Sequence, residues 1–136
     1  MIAFRVFGAP APKGSKRAFV IKGKPVMVEA NKGLGEWIQS VTTVAMKESY
    51  GRTFPIGGSW ETTLVFYLHR PKSLRKKDIY PNKARNDIDK LSRAVLDCLT
   101  GIVWEDDGQV IRLIASKEYA TKENPPGVAV AVRTLT

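Results

Sequence analysis

Asp87 and Asp89 flank Ile88 inside the run Arg85–Asn86–Asp87–Ile88–Asp89–Lys90–Leu91–Ser92–Arg93. Two carboxylates at i and i+2, at the frayed start of a helix, can converge on one point outside the helix end. A hard cation such as Mg2+ takes oxygen ligands, often one or two carboxylates completed by water and substrate phosphate. Each acid alone also has a structural use, because aspartate is a favoured helix N-cap and first-turn acids suit the helix dipole. For Asp87 by itself, capping is the simpler account. A second acidic cluster follows in Trp104–Glu105–Asp106–Asp107–Gly108–Gln109. Asp107–Gly108 is a turn signal, yet three consecutive acids stand out in a chain of net charge +9. A helix of about 13 residues between the clusters would span about 20 Å. The chain must therefore run back along it before Asp107 can reach Asp89.

The positive charge sits in two stretches. Residues 70–85 hold Arg70, Lys72, Arg75, Lys76, Lys77, Lys83 and Arg85 against the single acid Asp78. Residues 13–24 hold Lys13, Lys16, Arg17, Lys22 and Lys24 with no acid. The remainder is slightly negative. Clustered cations of this kind suit a phosphate backbone, whose neutralisation releases counterions. The plainer alternative is two solubilising loops. The first stretch runs directly into the Asp87–Asp89 pair, as expected for an anionic substrate cut with the help of a cation. Lys13, Lys16, Arg17, Arg70, Lys72, Arg75, Lys76, Lys77, Lys83, Arg85 and Lys90 are the expected DNA contacts.

The elements that must position these groups are legible in periodicity. Ile2–Phe7 alternates as a strand. Arg17–Ile21 and Val26–Glu29 read as a hairpin around Lys22–Gly23–Lys24–Pro25. Leu34 to about Tyr50 carries a helical stripe of Leu34, Trp37, Ile38, Val41, Val44, Ala45 and Met46, stopped at Gly51. Trp60–Leu68 alternates clearly. A second helical stripe runs through Ile88, Leu91, Val95, Leu96 and Leu99, with Asn86 or Asp87 as cap and Gly101 as stop. Val110–Ala115 and Val128–Val132 read as closing strands. The order β-ββ-α-β-α-β-β implies a single α+β domain over residues 1–136, with a mixed or antiparallel sheet and two main helices packed on it.

At 136 residues the chain is of one-domain size. It shows no signal-peptide core and no apolar run approaching a membrane span. With one cysteine it can form no internal disulfide, so a cytoplasmic protein is expected. Ser15 and Ser92 have no neighbouring base, which leaves nucleophilic catalysis without support. His69, beside Arg70, is a surface or phosphate-contacting residue before it is a base. Cys98, Trp37, Trp60 and Trp104 read as core.

The residues Asp87–Ile88–Asp89, Arg93, the stripe Leu91/Val95/Leu99 and the run Trp104–Glu105–Asp106–Asp107–Gly108–Gln109–Val110 resemble the RusA family of Holliday junction resolvases, often found in bacteriophages and prophages. The match is specific over residues 85–112 and loose over the flanking strands. The resemblance implies a homodimeric, Mg2+-dependent endonuclease, Mn2+ being an alternative cation, that nicks opposing strands of a four-way junction during recombination or repair. By position, Asp87, Asp89 and Asp107 correspond to the metal-binding, catalytic carboxylates, and in this family the later aspartate returns to the D-x-D pair. Asp106 occupies the adjacent position and would support the site. One departure stands at Arg93, where the family has a catalytic lysine. Lysine can lose its proton and arginine effectively cannot. Arg93 would then clamp a phosphate or offset developing charge, unless it only pairs with Asp89 or Asp97 at i,i+4. Lys90 is an alternative donor.

Three alternatives remain open from the residues, one of them a structural or interaction protein, for which the localised charge has no purpose. A non-catalytic basic nucleic-acid-binding module explains the cations but leaves three acids beside a phosphate path without a purpose. A structure-selective nuclease acting on flaps or forks shares the chemistry and differs only in substrate.

Overall fold

Alternation of apolar residues in Ile2–Phe7 (β1), Trp60–Leu68 (β4) and Gly127–Thr134 (β6) places one face of each strand in the core. The computed structural model describes residues 1–14, 16–29, 33–82 and 86–135. Its other elements are the hairpin Lys16–Ile21 (β2) and Lys24–Glu29 (β3), the helices Leu34–Ser49 (α1) and Ile88–Leu99 (α2), and Val110–Tyr119 (β5). A short 3-10 turn, Asp107–Gln109, precedes β5. The strands form a four-stranded sheet in the order β1-β6-β4-β5, and β2–β3 is a separate two-stranded sheet. β4 and β5 are parallel and the other pairs antiparallel.

The two helices pack on the sheet around Trp37, Val41, Leu64, Phe66, Leu91, Val95 and Leu99. Trp37, Trp60 and Trp104 are core residues, as the sequence implies. Met46 departs from the expected α1 stripe and is exposed. On α2 the buried face is Leu91, Ser92, Ala94, Val95, Cys98 and Leu99, while Ile88 and Leu96 are only half-buried. Ser92 is tolerated inside because its hydroxyl donates to the Ile88 carbonyl at 2.8 Å. The hairpin turn is the two-residue Lys22–Gly23, both at positive φ (50° and 77°), the geometry whose twist matches paired strands. No helix among the described residues is long and apolar enough to cross a membrane.

One topological fact governs the site. A parallel pair cannot be joined by a tight turn, so α2 carries the chain from the end of β4 back to the start of β5. Val110 pairs with Trp60 at the beginning of β4. The 12 residues of α2 cover about 18 Å. Asp87 and Asp89 therefore stand at one end of the helix and Asp107 beyond the other.

Candidate active site

The start of α2 is built without using its acids as caps. Asp87 is the N-cap residue by position, at φ −71° and ψ 135°, yet its side chain makes no capping hydrogen bond. The capping account of Asp87 therefore fails, and its carboxylate turns instead to Lys90 at 3.3 Å. Asp89 is exposed and has no ion-pair partner among the described residues. Lys117 of β5 donates to the Asn86 carbonyl at 3.0 Å and pins the helix start to the sheet edge.

In the run Trp104–Gln109 some side chains hold the structure, whereas the exposed Glu105 and Asp107 carboxylates do not. Trp104 is 3% exposed, and its indole N–H donates to Thr100 Oγ1 at 3.1 Å. The Asp106 carboxylate accepts the Gly108 N–H at 2.9 Å. Gln109 Oε1 accepts the N–H groups of Glu105 and Asp106, and its Nε2 donates to the Gly58 carbonyl. Each of these residues holds the turn or ties it to the sheet. Asp107 has no such task. It is exposed and lies against Asp106 and Asp97. Partial dehydration, then these two acidic neighbours, hold its carboxyl above the ordinary aspartate value.

Among the described residues, no three acids, histidines or cysteines form a preassembled ion cage. One chain does not bring Asp107 back to Asp87 and Asp89, and the length of α2 is the reason. Asp107 meets Asp97, two turns further along the helix than Asp89. Asp89, Arg93 and Asp97 follow at i, i+4 and i+8, so they share a stripe about 80° wide. Arg93 is exposed and makes no ion pair with either acid among the described residues. The loop 10–14 crosses this stripe. The Lys13 N–H donates to the Lys90 carbonyl at 3.0 Å, and Lys13 Nζ sits 2.8 Å from Asp97 Oδ2. Gly14, at φ +107°, passes so close to Arg93 that a Cβ there would stand 2.7 Å from Nη1.

The basic segments divide into struts and free cations. Arg70 is a strut: it donates to the carbonyls of Asp78 and Arg75 and lies over the Tyr119 ring. Its guanidinium is committed to shaping the 70–79 loop. Arg75 is 3.3 Å from Asp78 within the same loop. Lys72, Lys76 and Lys77 are exposed and unpaired among the described residues. The side chains of Lys16 and Arg17, and Lys83 and Arg85 altogether, lie outside the described residues. Sequence reasoning missed Arg5, whose guanidinium lies over Phe7 and Tyr67. It also missed Lys117, whose sequence context is an ordinary strand lysine, and it treated Asp97 only as a partner for Arg93.

Residues 8–133 match the family model described as Endodeoxyribonuclease RusA. The chain is 26% identical over 143 aligned residues to the uncharacterized protein YqaN of Bacillus subtilis (strain 168), covering 98% of this chain and 96% of that protein. With the family model spanning nearly the whole domain, this chain belongs to the RusA family of endodeoxyribonucleases, which act on branched DNA junctions and generally depend on a divalent cation.

Proposed function

We propose that the protein is a Mg2+-dependent endodeoxyribonuclease that resolves four-way (Holliday) DNA junctions by paired nicks. Asp107 carries this proposal. Of the acids in the Trp104–Gln109 run, Asp106 holds the turn through its side chain while the Glu105 and Asp107 carboxylates do not, and Asp107 is the one crowded by Asp97 and Asp106. Crowded carboxylate oxygens at a raised value suit a hard cation, which would relieve their repulsion. Asp87, Asp89 and Asp107 are the proposed ligands. Mg2+ needs only one or two carboxylates from any one place, because water and phosphate complete its shell. A bound cation would supply an activated water and neutralise charge at the scissile phosphate.

The chain's own residues do the rest. Arg93 and Lys90 offer donors between the two acid positions, where they hold phosphate oxygens and offset charge that builds on them. Arginine there acts as a clamp and moves no proton. Lys72, Lys76 and Lys77 follow the backbone of a duplex arm, which positions the junction without reading its bases. The protein is proposed to act as a homodimer. Two-fold symmetry provides two sites for two strands. It also allows the Asp87–Asp89 end of one α2 to face the Asp107 end of the other, which a single chain keeps apart.

A labelled four-way junction and a linear duplex, each incubated with Mg2+, Mn2+ or EDTA, test this. Symmetric nicks in the junction alone, abolished by EDTA and by Asp89→Asn or Asp107→Asn while binding persists, are the expected result. Tight junction binding with no cleavage under any cation would refute it in favour of a non-catalytic module.

A further inference from the structure

Arg93 stands exposed on the α2 stripe with no ion-pair partner among the described residues. A lysine stands nearby, delivered by the N-terminal loop. Pro10, Ala11 and Pro12 are buried, so the loop enters with little freedom. The Lys13 N–H is tied to the Lys90 carbonyl, and Nζ is held by Asp97, an acid whose charge reaches Asp107. The Lys13 side chain keeps 40% of its surface exposed, so a phosphate can reach it. Gly14 brings the chain close over Arg93, whose guanidinium would have to move aside for a Cβ at 2.7 Å.

We propose that Lys13, positioned by Asp97, is the lysine of the active site and donates hydrogen bonds to the scissile phosphate beside Asp107. This rests on the endonuclease proposal above. Lys13 forms no covalent bond and carries no proton away. It neutralises charge that grows on the phosphate oxygens, while Asp97 is a positioning residue that keeps the ammonium from drifting into solvent. The same placement has an opposite effect on the cation. A positive charge next to the acids repels Mn2+ or Mg2+, so removing it helps the metal and harms the reaction.

Lys13→Gln, Lys13→Arg and Asp97→Asn in the full-length protein separate these effects. Lys13→Gln is expected to lower the single-turnover cleavage rate at saturating junction by about 10²-fold. Its junction Kd should change by less than about threefold, because one phosphate contact among many is lost. Calorimetric titration of the DNA-free protein with Mn2+ should show about threefold tighter binding in Lys13→Gln. Lys13→Arg should recover most of the rate, and Asp97→Asn should slow cleavage with the junction Kd unchanged. A raised junction Kd at an unchanged rate would make Lys13 an ordinary backbone contact. Weaker Mn2+ binding with a lowered Tm would make the Lys13–Asp97 pair a structural latch only. Either result overturns the proposal. Should the parent protein cut no junction with any cation, the endonuclease proposal fails separately. The Mn2+ titration would still decide the placement of Lys13, since an unchanged affinity in Lys13→Gln removes it from the acids.

Discussion

Replacing Asp107 by asparagine separates what the residue does for folding from what it does for the reaction. Asparagine has nearly the same shape and no charge. In the native chain the carboxyl is held above its usual value by partial dehydration and then by Asp106 and Asp97. A carboxyl whose folded value exceeds its unfolded value destabilises the fold when ionised. That penalty is fully present above the folded value and disappears below the unfolded one. Asp106 cannot swing away, because it is held by the Gly108 N–H at 2.9 Å. Two like charges about 4 Å apart in water repel by about 1 kcal/mol. Asp107 is exposed, and screening leaves only a few tenths of that for each neighbour, or roughly 0.5–1 kcal/mol for both. For a domain of this size such a change moves Tm by about 2–4 °C. In the absence of divalent cation at pH 7, Asp107→Asn should therefore melt about 2–4 °C higher than the parent, as followed by circular dichroism. The difference should close near pH 3. Adding Mg2+ should raise the Tm of the parent more than that of the variant, since only a ligand that binds the folded state stabilises it. Junction cleavage should fall by at least about 10³-fold. A lower Tm for Asp107→Asn at pH 7 without cation would refute the account of crowded, unemployed charge.

Three further outcomes test other parts of the structure. Lys76→Glu with Lys77→Glu should weaken junction binding and flatten its salt dependence, whereas Arg70→Ala should lower Tm and disturb the 70–79 loop, because Arg70 is spent on the Asp78 and Arg75 carbonyls; an unchanged salt slope in the lysine double variant would remove that loop from the DNA path. Glu61, with a side chain only 11% exposed, is gripped by Arg133 at 2.7 Å and Arg112 at 3.3 Å, and the hydrogen bond from Arg133 leads the causes that hold its carboxyl below the usual range. Its contribution to stability is present above the unfolded carboxylate value and lost as pH falls through the lower folded value, so Glu61→Gln should narrow the Tm difference between pH 7 and pH 3; equal acid sensitivity in parent and variant would count against this. Gly127→Ala should destabilise by about 3 kcal/mol or more, since at φ +153° a Cβ would fall 2.0 Å from the Val6 carbonyl oxygen; a denaturant midpoint equal to the parent's would show that β1 and β6 can shift apart.

Short-range patterning made most of the elements legible. Alternation defined Ile2–Phe7 and Trp60–Leu68 to the residue, and the apolar stripe of α2 placed its start beside Asp87. β5 runs on to Tyr119, beyond the Ala115 boundary expected from sequence. It lies at the sheet edge with Ile111, Leu113 and Ile114 exposed, so burial on one face does not stamp an alternation onto it. The pairing of β4 with β5 in parallel was not legible at all, because strand direction depends on where α2 returns the chain.

The candidate site divides along the same line. Residue chemistry alone singled out Asp87, Asp89, the Glu105–Asp107 cluster and the basic stretches, since acids amid so many cations are visible in composition and spacing, while the choice of Asp107 within its cluster came from the family resemblance. Composition alone does not say which of those groups are already employed. Only the folded chain shows that Asp106 and Gln109 hold a turn, that Arg70 braces a loop, that Asp87 does not cap its helix, and that Lys13 lies on Asp97 across a sequence gap of 84 residues. Such pairings arise from long-range packing, in which the crossover helix sets the distance between acids and the docked N-terminal loop brings a cation to them. Local sequence carries the identity of each charged group, and tertiary contacts decide which of them remain free to act.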